Sequence, residues 1–88
     1  MTVFVAINVT QPAQFDLAVK TNFAEDHLQI SPQEWLIAAS GSTAKDISDK
    51  LGITDGSNGS AIIFVTAGYY GRAPNNIWEW ISVKLQRP

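Results

Sequence analysis

The chain has no cysteine and a single histidine, His27, in 88 residues. The first absence excludes a disulfide scaffold and a thiolate-held metal. The second leaves zinc chemistry without its usual set of ligands, and His27 beside Asp26 reads as a surface residue. No apolar run reaches the length of about 18 residues that a membrane-spanning helix needs. There is no basic excess either: eight acids face six bases, for a net charge of −2. Proteins that bind nucleic acid usually carry such an excess, because neutralising phosphates supplies much of their affinity. Only a local stripe from Lys20, Lys45, Lys50, Arg72, Lys84 and Arg87 keeps that class open. Met1-Thr2-Val3-Phe4 has no basic region of the kind that opens a secretory signal, so the cytoplasm is the expected location.

Catalytic signatures are missing too. No Gly-x-Ser-x-Gly elbow occurs, and a serine nucleophile would have only His27 as its base. The glycine-rich loop from Gly52 to Gly59 follows a helix, leads into a strand and lacks lysine, which is the wrong context for a phosphate-binding loop. Its Asp55-Gly56 and Asn58-Gly59 pairs mark sharp turns instead. Asp46 and Asp49 lie on a helix beside Lys45 and Lys50, and read as a solvated face rather than a magnesium site. No cofactor is expected.

What is present suits a folded domain: 45% apolar and 10% aromatic residues. One domain over 1–88 is expected, with modest stability, since so short a chain buries only about 60–65% of its extended surface. Residues 2–9 (TVFVAINV) read as a strand apolar on both faces. Phe15, Val19 and Phe23 recur every four residues and predict a helix over 12–23, with Leu17 and Ala18 off or beside the stripe. Residues 27–31 alternate, Ser31-Pro32-Gln33 turns, and 34–40 (EWLIAAS) forms the second half of a hairpin. Thr43 and Asp46 are spaced as a capping box for a helix carrying Ala44, Ile47 and Leu51, which Gly52 ends. Residues 60–66 read as another strand buried on both faces. A final helix over 74–86 packs through Ile77, Trp80, Ile81 and Leu85.

The order β-α-β-β-α-β-α predicts a ferredoxin-like βαββαβ sandwich of α+β class, with a four-stranded antiparallel sheet and an extra C-terminal helix. The most apolar strands, 2–9 and 60–66, are expected at its centre, and the hairpin strands at its edges.

One stretch combines polar and aromatic groups densely enough to suggest a surface for binding. Tyr69 and Tyr70 follow the last strand, Arg72 can pair an anion or stack on a ring, and Trp78 lies off the helix stripe. Asn75 and Asn76 are placed to cap the last helix; with Asn76 as cap, Glu79 takes the reciprocal third position. The free amides there favour anions. Tyr69 and Trp80 read equally well as core closure or as contact residues.

The opening strand ending near Asn8, the EWLIAAS strand, the TAKDISDKL helix and above all AIIFVTAGYYGRAPNNIWEWI resemble small bacterial proteins of the SinR-like type. These are distantly similar to the ferredoxin-fold spacer-acquisition subunit of CRISPR systems and to VapD-type ribonucleases. The resemblance implies a homodimer. It also implies an aspartate at the end of the first strand, where this chain has Asn8, and a neutral amide supplies neither an anionic metal ligand nor a base. The expectation is therefore a non-catalytic homodimeric module that has Tyr70, Arg72 and Trp78 on a surface for itself or another protein. The alternative is a divergent nucleic-acid-binding protein or weak metal-dependent nuclease.

Overall fold

The computed structural model describes residues 1–10 and 12–88. Its elements are β1 (Thr2–Asn8), α1 (Pro12–Asn22), β2 (His27–Ser31), β3 (Glu34–Ala39), α2 (Ala44–Lys50), β4 (Ala61–Val65) and α3 (Asn75–Gln86). The four strands form one sheet in the order β2-β3-β1-β4, and every neighbouring pair is antiparallel.

Alternation along β1 divides the molecule into two layers of side chains. Phe4 and Ala6 point to the face that α1 and α2 cover. There they meet Phe15, Ala18 and Val19 from α1, Trp35 and Ile37 from β3, and Ile47 with Leu51 from α2 and its end. Trp35 is fully buried, and the Phe15 ring meets it edge-on at 4.9 Å. Its indole Nε1 donates to Asp16 Oδ1 at 3.4 Å, so the one polar atom of this large side chain reaches an acceptor on α1. Val3 and Val5 point to the other face. Together with Leu36 and Leu28 they pack against Ile81, Ile77, Trp78 and Trp80 of α3.

Two expectations are corrected here. The central pair is β1 and β3, not β1 and β4, because β4 has a neighbour on one side only. An apolar run looks the same in sequence whether its side chains are buried or left uncovered. The structure separates the two cases: four consecutive residues of β3, Trp35 to Ala38, are buried, whereas no residue of β4 is. On α1, Ala18 joins the core beside Phe15 and Val19, while Leu17 is exposed.

The short α2 is held by its ends. Thr43 Oγ1 accepts from the Asp46 amide at 3.1 Å, and Asp46 Oδ2 accepts from the Thr43 amide at 2.8 Å, which completes the capping box. Gly52 then turns the chain at φ 73°, and a Cβ there would lie 2.6 Å from Asn58 Nδ2. The polar loop that follows is hydrogen-bonded to itself and to α2: Ser57 N donates to Asp55 Oδ1 at 2.9 Å, and Asn58 Nδ2 donates to Leu51 O at 2.9 Å.

Candidate interaction surface

The ladder between β1 and β4 decides what the end of the sheet offers. Val9 N donates to Ser60 O, and Thr66 N donates to Val3 O, both at 3.0 Å. In an antiparallel ladder bonded and non-bonded pairs alternate. The register Ile7↔Ile62 and Val5↔Phe64 lies between those two bonds. Ile62 and Phe64 therefore bond inward to β1, while the N–H and C=O groups of Ala61, Ile63 and Val65 point outward. Among the described residues, no hydrogen bond reaches these outward groups from outside the sheet. The side chains of Ile62 and Phe64 share the face on which α3 lies. That helix packs mainly over β1 and β2. Ile62 and Phe64 are left about half exposed there, at 51% and 49%, and Val65 on the opposite face at 53%.

Beyond β4 the chain crosses the same end of the sheet. An open groove of about 330 Å³ runs between Phe64, Val3, Val5, Leu36, Ile81 and Tyr69. The Tyr69 ring stacks on Trp78 with centroids 5.8 Å apart and planes 26° from parallel. Tyr70 projects fully into solvent, and Gly71, at φ 149°, turns the chain away from it. The two tyrosines, Gly71 and Trp78 line a shallow shelf of about 210 Å³. Together these positions form one apolar and aromatic band from β4 to the start of α3.

The structure brings Tyr70 and Trp78 together on this shelf. Trp78 is half-buried, with one side on Tyr69 and the rest in the layer beneath α3. Arg72 is exposed and forms no ion pair among the described residues. Asn75 and Asn76 are exposed in the first turn of α3, but neither caps it. Pro74 occupies the cap position, and no side chain bonds to the free amides. The expected pairing of an Asn76 cap with Glu79 is thus replaced by a proline-led start, which needs no side-chain acceptor to set its backbone angle. Leu85, expected in the packing stripe, is exposed, and Lys84 is buried in its place.

Lys84, expected in a solvent-facing basic stripe, is buried instead. Its Nζ donates to Glu25 O and to Asp26 Oδ1, each at 2.8 Å, and lies 5.8 Å from the Trp80 ring centroid. These contacts tie α3 to the start of β2 and draw the amine away from a solvent-facing basic stripe. The only advance signal was a lysine one turn past Trp80 on an otherwise apolar stripe.

Asn8 stands apart from this surface. It lies on the α1/α2 face, at the end of β1 opposite the one where residue 66 leaves β4. It is 2% exposed, its Nδ2 donates to Ser60 O at 3.3 Å, and its Oδ1 has no partner among the described residues. Among the described residues no three His, Cys, Asp or Glu side chains converge, near Asn8 or elsewhere. His27 Nδ1 donates to Phe23 O at 2.7 Å and so closes the turn into β2.

Several carboxylates are held in their charged form. Lys20, bonded to Asp16 at 2.8 Å, pulls the Asp16 carboxyl below its ordinary value, and the Trp35 N–H adds to the effect. Lys45 does the same to Asp49, and the Ser57 amide to Asp55. All three cases are local pairs of the kind that hold loops and helix surfaces, and none lies in the aromatic band.

Among the described residues no helix is long and apolar enough to cross a membrane. Compared with known proteins, the chain matches no family model and no curated protein.

Proposed function

We propose that this chain is a non-catalytic, cytoplasmic interaction module of ferredoxin-like topology that works as a homodimer. The topology rests on the hairpin β2–β3, the order β2-β3-β1-β4 and the placing of α1 and α2 on one face, with α3 as an addition on the other. Kinship with SinR-like proteins rests on the motifs quoted above.

The observation that carries the functional reading is the uncovered band of Ile62, Phe64, Tyr69 and Tyr70. Taking about 200 Å² for a full large side chain, these exposures amount to roughly 500 Å². That is at the upper end of what a monomer leaves open, about 300–600 Å², and patches of this size mark interaction sites. Tyr, Trp and Arg, the residue types that anchor interfaces, lie at its margin in Tyr70, Trp78 and Arg72. Light scattering over a concentration series tests the reading. A mass of twice 9.6 kDa at high micromolar concentration is expected, and a strict monomer contradicts it.

The aromatic shelf beside the exposed Arg72 favours a second reading, a weak binder of single-stranded nucleic acid that stacks bases on Tyr69, Tyr70 and Trp78. A gel shift that weakens steeply with salt and is lost in Tyr70→Ala would support it. Cleavage is not part of this reading, because the buried amide of Asn8 offers neither charge nor a base.

A further inference from the structure

The two edges of the sheet are built differently. The β2 edge has the guards that keep sheet edges from pairing. Its register shifts between Gln29 and Ser31, its residues alternate with polar side chains, and Pro32 follows it directly. The β4 edge has none of these. Its register on β1 is continuous from Ala61 to Val65. From Ser60 to Gly71 the sequence contains no charged residue and no proline. Main-chain groups at Ala61, Ile63 and Val65 point outward from it, and Ile62 and Phe64 stand exposed beside them. An unguarded, flat, apolar edge is a template for another strand.

We propose that a second copy of this chain closes the β4 edge by antiparallel pairing of β4 with β4 across a two-fold axis, merging the two sheets into one. This rests on the homodimer reading and names the surface that makes it. Three features favour a second copy over a foreign strand. The segment is self-complementary. Only outward-pointing residues can form bonded pairs, so the register with the fullest overlap puts Ile63 opposite itself and Ala61 opposite Val65. That gives about six new main-chain hydrogen bonds. The same register sets Ile62 of each copy opposite Phe64 of the other on the α3 face, a β-branched residue against an aromatic one. Charge is no obstacle, because two chains of net charge −2 meet along a neutral segment. The area also suffices. About 500 Å² of exposed side chain in the band, about 100 Å² more from Val65 on the other face of the same edge, and the strand's own main chain approach the ~800 Å² per partner of a standard interface.

Sedimentation of the full chain and two variants tests the proposal. In Ile62→Lys each dimer loses two apolar cross-strand contacts at side chains already half in solvent. Its dissociation constant should rise at least about 100-fold. Val65→Pro removes an amide that bonds to nothing within the monomer, and blocks the pair with Ala61. Both variants should sediment as monomers with unchanged far-UV circular dichroism. Should Val65→Pro fail to fold, Ile62→Lys decides alone. If the wild type is dimeric and Ile62→Lys dimerises equally well, the β4 edge is not the interface, although the homodimer reading stands. If the wild type is monomeric, both fall, and an extended peptide from another protein becomes the occupant to seek.

Discussion

Asn8→Asp would place a carboxylate at the end of β1, and the structure predicts that it unsettles the fold rather than creating a site. The side chain is 2% exposed, and its only bond runs from Nδ2 to Ser60 O at 3.3 Å. Aspartate replaces that donor with an oxygen facing a carbonyl oxygen, and the other oxygen still has no partner. Among the described residues no lysine, arginine or histidine bonds to this position to compensate the charge. Desolvation without a partner raises a buried carboxyl by about 3 units or more. At about 1.36 kcal/mol per unit, the penalty at pH 7 is roughly 4 kcal/mol. A domain of this size has only about 5–10 kcal/mol of stability. The sign follows from the raised folded value. Below the unfolded value of about 3.9 the acid is neutral in both states and the penalty is absent. It grows as pH rises towards the folded value and is level above it. Urea unfolding of variant and wild type at pH 4, 5.5 and 7 measures the difference, which should widen with pH. An equal stability at pH 7, or full recovery on adding magnesium or manganese, would refute the reasoning. Recovery would mean that cation ligands surround this position after all.

Further outcomes follow from the packing and the ion pairs. Trp35→Ala removes a fully buried ring and its edge-on contact with Phe15, and should cost about 3–5 kcal/mol in a denaturant titration. At the Lys84–Asp26 pair, Asp26→Ala leaves a buried ammonium with only Glu25 O, and should cost about 1–3 kcal/mol. Lys84→Met removes the charge itself and should cost less. The lowered carboxyls of Asp16, Asp49 and Asp55 favour the folded state above their ordinary 3.8. That contribution is lost as pH falls through their lower folded values, so the wild-type melting temperature should drop below about pH 4 while staying level from there to neutrality.

Much of the fold was legible because periodicity and caps are local signals. The Phe15, Val19 and Phe23 spacing located α1, Thr43 with Asp46 located α2, and Pro32 located the hairpin turn. Position within the sheet was not legible in the same way. AIIFV is the more apolar and EWLIAA opens on a glutamate, yet only the second lies between two strands, and composition does not record how many neighbours a strand has. The same limit hid the surface. Tyr70, Arg72 and Trp78 stand out in the sequence because Tyr, Trp and Arg are the residue types of interfaces. Ile62 and Phe64 passed as core because they sit in an apolar run. Lys84 escaped for the opposite reason: a charged residue on a helix reads as solvated unless its partners, here on a loop 58 and 59 residues away, are known.

Amide hydrogen exchange along β4 at high micromolar concentration tests the central claim most directly. In a single chain, the amides of Ile62 and Phe64 are bonded to β1 and those of Ala61, Ile63 and Val65 are open. Closure of the edge by a second copy predicts protection of all five, with Ile63 slow at high concentration and fast on dilution. Alternating protection, with Ile63 exchanging freely whatever the concentration, would contradict it.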